Sequence, residues 1–102
     1  MSKCTITVVK RTINNDLVDE HLDPKRENFG PCPAFEDGQE FVIEDFPSKP
    51  EGFCDWAWTI IHKDVVAMMF GGAYPWIKQP GTAITCCTDG LRPVIFKVER
   101  TG

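Results

Sequence analysis

The chain has 102 residues, 42% of them hydrophobic and 25% charged, and a formal net charge of −4. That is room for a single domain, expected to span residues 1–102, with a real core but little stability to spare. The acidic balance, with no run of Lys or Arg, lacks the electrostatic footprint that phosphate backbones and anionic membranes require, so neither nucleic acid nor a membrane is an expected partner.

The opening residues, MSKCTITVVKR, hold no apolar leader. No segment approaches the ~18 consecutive apolar residues of a membrane span. The expected location is the cytoplasm, which keeps thiols reduced. Five cysteines, an odd number, then read as free thiols or ligands rather than a disulfide framework.

Residues 4–12 alternate and are β-branched, which predicts a strand with Cys4, Ile6 and Val8 on one face. Residues 15–22 predict a short helix capped by Asn14 or Asn15. Residues 23–31 are polar and broken by Pro and Gly, hence a loop. Cys32 follows between Pro31 and Pro33, which restrict the backbone on both sides of it. Glu36-Asp37-Gly38 signals a turn, and residues 40–44 predict a second strand with Phe41 and Ile43 on one face.

Ser48 with Glu51 three residues later matches a capping box, so a long helix is expected over residues 49–70, stopped by Gly71-Gly72. At ~100° per residue, Cys54, Ala57, Trp58, Ile61, Val65, Met68 and Met69 share the core stripe. Trp56, Ile60, Val66 and Phe70 lie off it, and Asp55, Thr59, His62, Lys63 and Asp64 supply the polar side. A helix apolar nearly all round is covered on more than one side. A partner subunit is the simplest cover, so a homo-oligomer is expected.

Residues 73–81 form a connection with two prolines. Residues 82–87 predict a third strand, Thr88-Asp89-Gly90 a turn, and residues 92–100 a fourth strand with Val94, Phe96 and Val98 inward. The expected fold is α+β: a four-stranded mixed or antiparallel sheet with one long helix packed on it and one short helix.

Gly30-Pro31-Cys32-Pro33, Pro50-Glu51-Gly52-Phe53-Cys54, Phe70-Gly71-Gly72 with Pro75-Trp76, and Cys87-Thr88-Asp89 together resemble a small prokaryotic family of about this length, many of whose members come from anaerobes. The resemblance covers most of the chain. The family has no assigned biochemical activity, so what it implies is a pattern of three cysteine positions, here Cys32, Cys54 and Cys87. Many members carry Gly-His-Lys shortly after the first of these, where this chain has Ala34-Phe35-Glu36-Asp37, and Pro after the third, where it has Thr88. A histidine ligand at that place is therefore missing.

Thiolates bind zinc and other thiophilic metals, and zinc takes four ligands. Cys32, Cys54 and Cys87 are the candidate set, with Cys86, Asp89 or His62 as the fourth. The spacing lacks the close ligand pair that most zinc and iron–sulfur patterns show. Adjacent Cys86 and Cys87 point to opposite faces of a strand, so only one joins a given site. The competing reading is packing, since free Cys behaves as a small hydrophobe. Cys54 lies on the apolar stripe, and Cys4 and Cys86 occupy inward-compatible strand positions.

Three function classes remain. The first is a binding module holding a metal or small molecule near Cys32, Cys54 and Cys87, with Trp58, Trp76, Asp89 and Arg92 as further ligand-binding candidates. Arg92 either anchors an anion or pairs with Asp89 across the turn, and pairing is the expectation. The aromatic residues Trp56, Trp58, Tyr74 and Trp76 line a pocket or fill a core or interface. The second class is a thiol-dependent enzyme or redox partner using Cys54, near a helix N-terminus, or Cys87. The third is a structural or interaction subunit. No catalytic signature decides among them.

Overall fold

A computed structural model describes residues 2–26 and 29–102. Residues 27 and 28, part of the expected loop, lie outside the described residues. The elements run β1 (Cys4–Arg11), α1 (Asn15–His21), β2 (Glu40–Ile43), α2 (Asp55–Met69), β3 (Thr82–Cys87) and β4 (Val94–Arg100). They make an α+β fold whose four-stranded sheet has the order β2-β1-β4-β3 with every pair antiparallel. The first and last strands therefore form the central pair.

Alternation along each strand divides the sheet into two faces. Cys4, Ile6, Val8, Ile43, Ala83, Cys87, Val94, Phe96 and Val98 are buried on the inner face. Helix α2 lies over β3, β4 and β1 and closes this face with Ala57, Ile61, Val65, Met68 and Met69. It does not reach β2. Two aromatic residues from loops cover that end instead: Phe35 and Phe53, 2% and 3% exposed. Phe35 meets Phe41, Phe53 and Phe96 edge-on at 6.1, 5.1 and 5.1 Å, and Phe53 meets Phe41 at 4.9 Å. Edge-to-face rings bring positive rims to negative faces, which adds to their burial.

The expected start of the long helix is corrected by six residues. Gly52 has φ +80°, a left-handed conformation that no right-handed helix contains. Ser48 does not cap: its hydroxyl donates to the Phe46 carbonyl at 3.3 Å. Residues 50–53 form a turn, with Phe53 N–H on the Pro50 carbonyl at 3.2 Å, and this turn drives Phe53 into the core. Cys54 becomes the N-cap, and its carbonyl accepts from Trp58 N–H at 2.9 Å. The other end matches expectation. Gly71 (φ +89°) and Gly72 donate to the carbonyls of Met68 and Ala67 at 3.2 and 2.8 Å, the paired bonds of a Schellman stop. Arg100 of β4 adds its guanidinium at 2.9 Å from the Met68 carbonyl, where a cation complements the helix dipole.

Asp64, expected on the polar side of α2, is 3% exposed. A buried carboxylate needs donors. Tyr74 donates its hydroxyl at 2.8 Å and Lys63 its ammonium at 3.0 Å. Burial, then the bond to Asp64, pushes the Tyr74 phenol up to about 12. Tyr74 in turn stacks on Trp76 at 4.9 Å. The off-stripe Trp56 and Phe70 are exposed, 65% and 63%, so the described residues leave them uncovered. Cys86 corrects another expectation: it pairs with Ile95 on the outer face and is exposed. No described helix is long and apolar enough to cross a membrane.

A bulge at Val9 changes which way the end of β1 faces. The register of β1 against β4 slips between Val8 and Lys10, so Arg11 pairs with Val94. Without the extra residue, odd-numbered Arg11 would share the outer face with Thr5 and Thr7. The bulge re-aims it to the inner face.

Candidate functional site

At the end of the sheet where β3 stops and β4 starts, the inner face opens into a cavity of about 340 Å³. Cys32, Cys54 and Cys87 all line it, with Asp89 and Arg92. Three elements deliver the thiols. Cys87 ends β3 and points inward. Cys54 sits at the N-terminus of α2. Cys32 comes from the Pro-flanked loop, and the bulge-directed Arg11 holds that loop, donating Nη1 to the Cys32 carbonyl at 3.3 Å and Nε to Asp37 at 3.2 Å.

The loop after β3 is built by Asp89. Its Oδ1 accepts from the backbone N–H groups of Leu91 and Arg92 at 2.9 and 3.3 Å, an Asx-type turn. Asn14 ties this loop to α1, its backbone N–H reaching the Leu91 carbonyl at 2.8 Å and its side-chain amide the Gly90 carbonyl at 2.6 Å. Asn14 is the N-cap residue of α1 but makes no side-chain cap bond; its side-chain NH2 is turned to the Gly90 carbonyl instead. The expected ion pair between Arg92 and Asp89 does not form. The Arg92 guanidinium lies over the Phe29 ring at 4.2 Å and donates to the Gly30 carbonyl at 3.4 Å. The Asx turn occupies one carboxylate oxygen, and the Phe29 face gives the cation a different seat.

The thiols differ. Cys87 is 5% exposed, while Cys32 and Cys54 are half-buried. Burial pushes the Cys87 thiol above its ordinary 9.0; a bond to the Val94 backbone pulls it partly back, and the charges of Cys32 and Cys54 push it up again. Cys87 therefore stays protonated at neutral pH, which disfavours it as a nucleophile. Among the described residues no group of three or more His, Cys, Asp or Glu is arranged to hold a metal ion. The three cysteines share a cavity wall without making a ligand set. His62, a candidate fourth ligand, is elsewhere: it is exposed, packs on Trp58 at 5.1 Å and hydrogen-bonds the Pro47 carbonyl at 3.2 Å. Cys86 faces the other side of the sheet.

The two Trp candidates do not line the cavity. Trp58 is half-buried against Phe53 at 6.0 Å, and Trp76 is 74% exposed on Tyr74. Trp56 lines it instead, beside Phe29, Phe35 and Arg26. Placing Cys54 at the N-cap carries the signal for this, because the residue two further on then stands at the mouth of the same helix end. Arg26 and Phe29 come from a loop with no periodicity to read. No protein-family model, curated protein or solved structure matches the chain.

Proposed function

We propose that the chain is a small-molecule binding module whose ligand occupies the cavity lined by Cys32, Cys54 and Cys87. The observation that carries this is the convergence of three cysteines, 22 and 33 residues apart along the chain, on one concavity that also holds a charged and an aromatic wall. Its size falls at the lower end of small-ligand sites, and its mix of apolar lining with few polar groups is that of a binding pocket. A bound metal is the less supported ligand, given the lack of a ligand set among the described residues. The raised Cys87 thiol weighs against nucleophilic use of that residue.

Cysteine alkylation tests the reading with an internal control. A panel of cationic, neutral and anionic fragments is screened for slowing of N-ethylmaleimide labelling, residue by residue. A pocket ligand slows Cys32 and Cys54 together and leaves outer-face Cys86 unchanged. A panel that never separates the first two from Cys86 removes the pocket.

Self-association belongs to the same reading, supported by the exposed Trp56, Phe70 and Trp76. Light scattering at micromolar concentration is expected to give a mass above the 11.5 kDa of one chain. A monomer mass throughout ends that part of the proposal.

A further inference from the structure

The charges on the cavity wall narrow the ligand class, an inference that rests on the pocket reading. The chain as a whole is acidic, at −4. Among the described residues the cavity wall reverses this: Arg26 and Arg92 line it against one carboxylate, Asp89, and the Cys87 thiol is neutral. Asp89 already accepts two backbone N–H groups through Oδ1. Among the described residues, neither arginine has a carboxylate within ion-pair distance.

Arg92 is also held in place. Its guanidinium rests on Phe29 at 4.2 Å and gives one long bond, 3.4 Å, to the Gly30 carbonyl. A guanidinium carries five donors in a rigid fork matched to an oxoanion, so among the described residues most of the Arg92 fork is uncommitted. The N-terminus of α2, at Cys54, opens onto the same cavity and adds positive potential of the same sign. Apart from Thr88, the rest of the wall is thiol or apolar, and its accessible apolar side chains include Leu22, Leu91 and Trp56. A bare inorganic anion uses the arginines and leaves the aromatic wall without a partner. A neutral hydrocarbon does the reverse.

We infer that the cavity takes a small organic acid, its carboxylate on Arg92 and Arg26 and its apolar body against Trp56, Leu22 and Leu91. Charge-assisted bidentate bonds are the strong ones, so the carboxylate supplies much of the affinity and the apolar body the selectivity.

Benzoate, its neutral counterpart benzamide, and inorganic phosphate are titrated into the full chain at low ionic strength, followed by amide NMR shifts and by Cys54 alkylation. Benzoate is expected to bind about tenfold tighter than benzamide or phosphate, and to weaken as salt rises. Arg92→Gln is expected to lower benzoate affinity about tenfold and leave benzamide unchanged. Arg26→Gln, at an exposed position where folding is not in question, is expected to act in the same direction. Benzamide binding as tightly as benzoate, phosphate binding as tightly as benzoate, or indifference to both arginine changes each overturns the organic-acid assignment. Should cationic or neutral fragments protect Cys32 and Cys54 while benzoate does not, this assignment falls and the pocket stands. If no probe of any class protects them, both fall.

Discussion

Phe35→Ala is expected to destabilise the protein by about 3–5 kcal/mol, the range for removing a large buried aromatic side chain. Phe35 is 2% exposed and touches three other rings, two of them at 5.1 Å between centroids. It lies in a loop, so no helix or strand refills the void. The residue stands between the core and the cavity, so its loss also enlarges the cavity. In a domain of this size the change corresponds to a fall in melting temperature on the order of 15 °C or more. Phe35→Leu keeps most of the volume and is expected to cost roughly 1 kcal/mol. Urea titration of both variants checks this. A Phe35→Ala loss under about 1 kcal/mol would show that the ring is not part of the core.

The second large effect is alkaline. Cys4 is fully buried, and that burial, reinforced by the charge of Glu99, pushes its thiol from 9.0 to about 11. The unfolded chain ionises this thiol first, so between about pH 9 and pH 11 the unfolded state binds fewer protons than the folded one. Stability is fully present below pH 9 and falls as pH rises to about 11. Two pH units correspond to about 3 kcal/mol. Cys87 and Tyr74 are raised in the same direction, and Tyr74 extends the loss toward pH 12. Cys4→Ala is expected to flatten the first part of the decline while lowering stability at pH 7 slightly. Denaturation curves across pH 7 to 11 that show no slope, or the same slope in Cys4→Ala, would remove the linkage.

Periodicity is what makes part of the fold legible in the sequence. The alternation through Cys4, Ile6 and Val8, and through Val94, Phe96 and Val98, predicts both central strands and their inward faces, and the structure agrees. The core stripe of α2 is legible for the same reason. Periodicity fails where one residue changes the phase. Gly52 looks like a mild helix weakness next to a plausible capping box, yet its positive φ places it outside the helix altogether. Asp64 has the spacing of the stripe, three after Ile61 and four before Met68. Its charge argues for solvent, and Tyr74, ten residues away, together with the adjacent Lys63 makes burial tolerable.

The candidate site shows the same division. Cys32, Cys54, Cys87, Asp89 and Arg92 are found by residue type, and the structure gathers them into one cavity. The exchange of Trp58 for Trp56 comes from the helix start, because a wheel drawn from Ser48 gives no hint that Cys54 is the N-cap at the cavity. Phe35, Phe29 and Arg26 are carried by loops, where side-chain direction depends on long-range contacts. The orientation of Arg92 depends on Phe29, which lies far from it in sequence. The role of Arg11 is hidden by one extra residue at Val9, whose effect on facing is visible only once β1 is paired with β4.

The central pairing of β1 with β4 has a consequence for synthesis. A ribosome releases the first strand long before the last, and the two meet in the middle of the sheet. Until β4 emerges, Ile6 and Val8 have β2 on one side and a vacant ladder on the other, and α2 has no complete floor. The nascent protein thus completes its interior only once β4 has emerged, and until then its oily surfaces are open to chaperones and to neighbouring nascent chains.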